Sequence, residues 1–120
     1  MRKMEKRNLI QAKSFDFSLK IIELYKKLQA DKEYIISKQL LRAGTSIGAN
    51  IEEALAGQSK RDFSHKMAIA TKEARESRYW LRLLQKATIT SVNVNKELHQ
   101  VEEIVAILTA IVKTMRSKQT

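Results

Sequence analysis

Residues 45–84 read TSIGANIEEALAGQSKRDFSHKMAIATKEARESRYWLRLL and contain the pattern that decides the fold. On both sides of Gly57, apolar residues recur at intervals of three and four, which is the spacing of helices that bury one face. Gly57 favours the left-handed conformation that commonly ends a helix. Ser59, with Asp62 three positions later, is typical of a capped helix start. We therefore predict two amphipathic helices joined by a short turn.

One further helix is predicted before this pair and one after it. Apolar spacing places the four helices at about residues 14–28, 33–56, 59–86 and 96–117. The first has a mixed stripe of Leu19, Ile22, Tyr25 or Lys26, and Leu28, with Phe15 and Phe17 near its start. The predicted core face of the second helix is Ile36, Leu40, Ala43, Ile47, Ile51 and Ala54. That of the third helix is Phe63, Met67, Ala70, Ala74, Leu81 and Leu84. That of the fourth helix is Leu98, Val101, Val105, Leu108, Val112 and Met115.

Composition agrees with an all-α protein. The 120 residues include no proline and three glycines, 43% are hydrophobic and 30% charged, so we predict one domain, an antiparallel up-down four-helix bundle over residues 1–120. The absence of cysteine excludes disulfides and thiol chemistry. The basic start MRKMEKRNLIQAK is not followed by a long apolar run, so neither a signal peptide nor a membrane span is predicted. We expect a cytoplasmic protein.

Several positions within residues 45–84 resemble a known family. The matching residues are Ser46, Ile47, Asn50, Ile51, Glu53, Ala54, Asp62, Phe63, Ala68, Ile69, Ala70, Lys72, Glu73, Ala74, Glu76, Tyr79, Trp80 and Leu81. The pattern is similar to that of the 23S ribosomal RNA intervening-sequence proteins, which implies a four-helix bundle that forms rings of five subunits. Similar proteins assist the reverse transcriptases of diversity-generating elements, where a basic ring binds RNA and the polymerase. The resemblance thus implies a homo-oligomer, a nucleic acid and a reverse transcriptase as partners.

Charge points to a polyanionic partner. Lys and Arg outnumber Asp and Glu by 23 to 13, a net charge of +10. At 100° per residue, one flank of the third helix collects a set that we call the cationic stripe: Arg61, His65, Lys72, Arg75, Arg78, Arg82 and Lys86. Tyr79 lies on the same flank, where its ring could stack on a base. The alternative is a solvated face with pairs such as Lys72 and Glu76.

The N-terminal segment carries a second group of cations. Residues 1–13 are expected to form a flexible basic arm, and the last few residues, 117–120, to fray. The arm's candidate contacts with phosphates are Arg2, Lys3, Lys6 and Arg7, with Lys13 nearby. A solubilising tail is the alternative.

Two further groups of residues have structural or interface predictions. Arg42, Ser46, Asn50 and Glu53 lie on one flank of the second helix and are predicted to hydrogen bond to a neighbouring helix; a ligand-binding cleft is the alternative. Ile104, Ile107 and Ile111 widen the apolar surface of the fourth helix, which predicts either a subunit interface or coverage by the first helix.

Catalysis is not expected. Neither His65 nor His99 has a glutamate three residues before it, as a di-iron bundle would require. Phosphate-binding glycine loops and the G-x-S-x-G motif are absent. We therefore predict no metal, no cofactor and no enzyme activity, and expect a basic oligomeric scaffold that binds RNA or DNA. A module whose basic face docks an acidic partner protein is the alternative; salt dependence would distinguish them.

Overall fold

Four antiparallel helices form the bundle. The computed structural model describes the backbone of residues 2–119 and the side chains of residues 2–117, as α1 (Lys3–Ala30), α2 (Ile36–Leu55), α3 (Lys60–Lys86) and α4 (Asn95–Gln119). The helices pack in the order α1, α2, α3, α4 and back to α1, so each contacts its two neighbours in a bundle measuring 47 × 22 × 21 Å. The predicted all-α four-helix bundle is confirmed.

Burial follows the predicted faces of three helices. All the predicted core residues of α3 are buried, and those of α2 and α4 are buried except Ile36 and Leu98, which pack partly buried against the core. The period of three and four residues was sufficient here because the apolar residues of these helices lie on sides that neighbouring helices cover.

The prediction for α1 is wrong in two respects. The helix begins at Lys3 instead of Ser14, so residues 3–13 are its first turns and not a separate arm. The buried side is formed by Ile10, Ser14, Phe17, Ile21, Leu24 and Leu28. Phe15, Leu19 and Ile22 are 64%, 49% and 38% exposed, because α1 has apolar residues on two sides. Met1 and Thr120, at the predicted frayed ends, lie outside the described residues; α4 continues to Gln119.

Glu33 moves the start of α2 to Ile36. Its buried carboxylate accepts hydrogen bonds from the backbone N–H groups of Ile35 (3.1 Å), Ile36 (3.1 Å) and Ser37 (2.6 Å). Lys32, with φ 65°, reverses the chain just before it. A negative charge at a helix N-terminus satisfies free N–H groups and complements the helix dipole. Glu33 therefore caps α2 from outside, whereas the sequence predicted it as the first helical residue.

The turn between α2 and α3 was predicted in part. The Ser59 hydroxyl accepts a hydrogen bond from the Asp62 N–H at 3.0 Å, which confirms the predicted cap of α3. Gly57, however, does not have a positive φ, and α2 ends through ordinary right-handed geometry at Ala56. The left-handed ending predicted for Gly57 is wrong, because the Ala56 and Gly57 N–H groups bond to carbonyls of the last turn without it.

Glycines let α1 and α2 approach closely, and they are predicted to respond differently to substitution. A Cβ at Gly48 would lie 3.4 Å from the Ser18 hydroxyl, an ordinary contact, whereas a Cβ at Gly44 would lie 3.0 Å from Cγ2 of Ile21. We expect Gly48→Ala to raise the free energy of unfolding by about 0.5–1 kcal/mol through helix propensity. Gly44→Ala should lower it by about 1 kcal/mol, because buried β-branched Ile21 cannot easily move. Urea unfolding of both variants tests this; equal effects would contradict it.

Asp31 ties the two loops at one end of the bundle together. Its carboxylate accepts hydrogen bonds from the Thr90 hydroxyl (2.5 Å) and the Ser91 N–H (3.0 Å). The Thr90 hydroxyl, and then the Ser91 backbone N–H, hold the pKa of this carboxyl below its usual value. A pKa lowered by folding stabilises the protein above the unfolded-state pKa, and that stability is lost as the pH falls through the folded-state pKa.

The pH dependence of stability is therefore predicted to change in Asp31→Asn. We expect the variant to unfold at a lower temperature than the wild type at pH 7, and the difference to narrow below about pH 4 as Asp31 becomes protonated. Thermal unfolding from pH 7 to 2.5 measures it. Glu23→Gln is the control, because Glu23 contacts the neighbouring Lys26 on the same helix and joins no loops. A constant difference across this range would contradict the prediction.

Candidate nucleic-acid interface

The cationic stripe lies along the solvent-facing flank of α3. Six of its seven residues are exposed, and Arg78 is half-buried. Helix phase explains this arrangement, because the buried residues of α3 occupy the opposite side, from Phe63 to Leu84. The residues predicted as a stripe therefore face solvent, Arg78 only in part.

No acidic side chain neutralises the stripe among the described residues. Among the described residues, lysines form ion pairs outside the stripe: Lys13 with Glu103, Lys26 with Glu23 and Lys66 with Glu53. Lys72 and Glu76, the pair expected for a simple solvated face, do not form an ion pair. The positive charge of the stripe thus remains available to an external anion.

The helix α4 adds two cations that the sequence analysis missed. Lys113 and Arg116 face Lys72 and Arg75 across a groove of about 430 Å³ between α3 and α4. Its other lining residues are Ala68, Thr71, Thr109 and Val112. We call this feature the basic groove. Lys113 and Arg116 are three apart, so helix phase places both on one side of α4. Helix phase does not indicate that this side faces Lys72 and Arg75 of α3.

Tyr79 and Trp80 lie on different sides of α3. Tyr79 is 55% exposed on the stripe's flank, so its ring is accessible for stacking. Its ring meets that of Trp80 edge to face, with centroids 5.2 Å apart. Trp80 packs partly buried against the core, and its indole N–H is buried and has no hydrogen-bond partner among the described residues.

The N-terminal cations are partly engaged within the bundle. The Arg7 guanidinium lies 4.2 Å from the centroid of the Phe63 ring, a cation–π contact that attaches α1 to α3. Lys6 and Arg7 are half-buried, whereas Arg2 and Lys3 are exposed. Lys13 pairs with Glu103 of α4 at 3.2 Å. These residues are held on a helix, so they do not form the independent arm that the sequence suggested.

The predicted polar network does not cross to another helix as a unit. The Ser46 hydroxyl donates to the Arg42 carbonyl (2.6 Å), and the Asn50 amide donates to the Ser46 carbonyl (2.8 Å), both within α2. Of the four, Glu53 forms an ion pair with a neighbouring helix, at 3.4 Å from the Lys66 ammonium of α3. The network prediction is wrong for Ser46 and Asn50, because hydroxyl and amide groups in a helix can bond to the carbonyl one turn earlier.

The predicted oligomer interface on α4 is also wrong. Ile104 is 1% and Ile111 8% exposed, and Ile107 packs partly buried against the core. The other side of α4 is covered because α1 packs against it, which was the alternative. The exposed apolar residues that a subunit could contact lie instead on α1. Phe15, Leu19 and Ile22, at spacings of four and three, form what we call the α1 apolar stripe.

Two other kinds of site are absent from the described part of the chain. Across residues 2–119, no helix combines the length and hydropathy needed to cross a bilayer. The same residues contain no group of three or more His, Asp or Glu side chains placed to hold a metal ion.

Comparison with known proteins relates the chain to others of the same architecture. Residues 6–110 match the family model described as 23S rRNA-intervening sequence protein. The chain is also similar to the crystal structure of a protein of unknown function from the S23 ribosomal protein family of Bacteroides thetaiotaomicron. The two are 45% identical, with a TM-score of 0.84 over 90% of this chain and 98% of that one. None of the curated proteins matches the chain.

Proposed function

The chain belongs to the 23S rRNA-intervening sequence protein family, and we propose that it is a non-catalytic scaffold that binds RNA or DNA through the cationic stripe of α3. The observation that carries this proposal is the exposure of the stripe without neutralising partners among the described residues. Unpaired cations in a row repel one another, so a fold that keeps them gains from an external polyanion.

The dimensions of the stripe suit a nucleic-acid backbone. From Arg61 to Lys86 it extends about 38 Å at 1.5 Å per residue. Phosphate contacts of this kind bind without reading sequence and release counterions. Tyr79, exposed beside the cations, supplies a surface for one unpaired base. The proposal therefore favours single strands or loops over a smooth duplex.

Self-association would multiply these contacts. We propose a homo-oligomer, with a ring of five as the family resemblance implies, in which the α1 apolar stripe contacts a second subunit. The stripes of several subunits would then bind one long strand together, and the second contact would benefit from a raised effective concentration. We place this role in the cytoplasm, since a chain without cysteine needs no oxidising compartment.

The absence of catalysis is part of the proposal. The exposed His99 contacts Glu103 at 3.4 Å on the surface of α4, and His65 lies within the stripe. Both imidazoles are exposed to solvent, so neither is held in the defined position that a general base needs beside its substrate.

A salt titration tests the function directly. The purified protein is mixed with labelled single-stranded RNA, structured RNA and duplex DNA, and binding is followed by fluorescence anisotropy from about 0.05 to 0.5 M salt. With about five phosphate contacts, the logarithm of the association constant should fall against the logarithm of salt with a slope near −3.5 on single strands. Lack of binding at about 0.05 M salt would overturn the proposal.

A second candidate function is the docking of an acidic partner protein, such as a reverse transcriptase. A pocket of about 160 Å³ at one end of the bundle favours it, because Phe63, Ile111 and Met115 lie beside the basic residues Lys6 and Arg7. An apolar side chain flanked by carboxylates would suit this pocket. Binding to such a partner should persist at high salt and weaken in Thr114→Glu, because Thr114 is exposed and lines the same pocket, whereas nucleic-acid binding should fall steeply with salt.

A further inference from the structure

The basic groove is a place where two helices direct positive charge into one space. Lys72 and Arg75 form one wall, and Lys113 and Arg116 form the other. All four side chains are exposed, and none forms an ion pair with an acid in the described part of the chain. Four uncompensated cations around one groove lower stability, so their arrangement points to an anion that is bound from solution.

The floor of the groove is small and closed. Thr71 and Val112 are only 6% and 8% exposed, and the remaining lining residues, Ala68 and Thr109, have short side chains. An incoming group can approach the helices closely but cannot insert between them. Such a floor suits a compact tetrahedral anion better than a planar base.

A free hydroxyl adds directional binding. The Thr71 hydroxyl already donates to the Met67 carbonyl at 2.8 Å. The exposed Thr109 hydroxyl makes no hydrogen bond within the described residues, so it can donate to an anion's oxygen. The two arginines contribute planar forks that match phosphate oxygens. The groove therefore offers charge, bidentate donors and a hydroxyl to the same ligand.

Spacing limits the ligand to one or two phosphates. Residues three apart on a helix are separated by about 4.5 Å along its axis, so the four cations surround a short segment of backbone. From the groove the cationic stripe continues along α3 past exposed Tyr79 to Lys86. A single strand held in the groove by its phosphates could follow this path with its bases directed outward.

We propose that the basic groove is a phosphate-binding subsite for single-stranded nucleic acid, in which Lys113 and Arg116 of α4 hold the backbone against Lys72 and Arg75 of α3. The groove recognises phosphodiester groups without regard to sequence. This inference rests on the proposed function, since it specifies where the strand enters the α3 surface.

The test neutralises only the α4 side, which the cationic stripe does not include. In Lys113→Gln/Arg116→Gln, the loss of two contacts should weaken binding of a labelled oligouridylate of about 20 nucleotides by about 25-fold at 0.1 M salt, with a salt slope smaller by about 1.4. Lys38→Gln/Arg42→Gln is the matched control, because it removes one exposed lysine and one exposed arginine from α2. The control should stay within about threefold of the wild type.

A second variant tests the groove without removing any of its cations. Thr109→Glu places a carboxylate among the four cations, so it should block inorganic tripolyphosphate and the oligouridylate while raising the melting temperature by about 2–4 °C at low salt. In the wild type, tripolyphosphate should itself raise the melting temperature.

The possible outcomes separate this inference from the function on which it rests. If the wild type binds and both the α4 double variant and Thr109→Glu bind with the same affinity, the groove proposal would be wrong. The cationic stripe would then remain as the binding surface. Equal losses in the α4 variant and the α2 control would also overturn it, because general attraction would then explain both. Failure of the wild type to bind any oligonucleotide would overturn the proposed function, and the groove with it.

Discussion

Charge reversal at Arg75, Arg78 and Arg82 to glutamate is expected to weaken binding of single-stranded RNA by at least about 100-fold at 0.1 M salt. Each phosphate contact on a single strand contributes about 0.7 to the slope of log affinity against log salt, so three contacts contribute about 2.1 logarithmic units at this concentration. Repulsion from the new carboxylates adds to the loss. The salt slope itself should fall by about 2, which anisotropy titrations measure.

Folding of this triple variant must be shown separately. The three arginines form no ion pair in the described structure, and Arg75 and Arg82 are exposed, so the melting temperature should change little. A matched control reverses Lys20, Lys27 and Lys38 on α1 and α2, which alters net charge equally. If this control loses as much affinity as the stripe variant, binding follows net charge and the α3 surface has no special role.

The same measurement separates the two candidate functions. Counterion release makes nucleic-acid binding fall steeply with salt, whereas a protein contact through the pocket beside Phe63 would depend mainly on apolar burial. If the stripe variant still binds a partner protein at high salt, the result would favour docking. If the wild type binds RNA with a steep salt dependence and the stripe variant loses that binding, the result would favour nucleic acid.

Helix phase explains why part of the site was predictable. The cationic stripe depends on the 3.6-residue turn of α3 and on which of its sides is buried, both of which the apolar residues from Phe63 to Leu84 indicate. The basic groove depends in addition on the register between α3 and α4. Lys113 lies 41 positions after Lys72, and no local pattern predicts that they share a groove.

The errors in α1 have a different physical origin. Its outer side carries Phe15, Leu19 and Ile22, while its buried side includes Ser14, so hydrophobicity alone does not distinguish core from surface. Ser14 is tolerated in the core because its hydroxyl donates to the Gln11 carbonyl at 3.1 Å. The apolar residues that remain outside require an explanation of their own.

We expect Leu19→Glu/Ile22→Glu to convert an oligomer into a monomer of 13.8 kDa. Phe15, Leu19 and Ile22 are 64%, 49% and 38% exposed, so each can still transfer apolar area from water to a partner, about 1 kcal/mol per side chain at the usual area coefficient. Two carboxylates in the middle of such a contact would lose that energy and would also have to be desolvated. Light scattering coupled to size exclusion measures the mass.

Stability and association are affected differently by this substitution. Both positions are at least one-third exposed within the chain, so helicity and melting temperature of the isolated subunit should be retained. Ile35→Glu is the control, because Ile35 is 76% exposed in the loop before α2 and lies outside the α1 apolar stripe. An oligomer that survives the double variant would place the contact elsewhere, and a monomeric wild type would exclude self-association. If the monomer also loses affinity for long RNA but keeps it for short oligonucleotides, the assembled stripes bind one strand together.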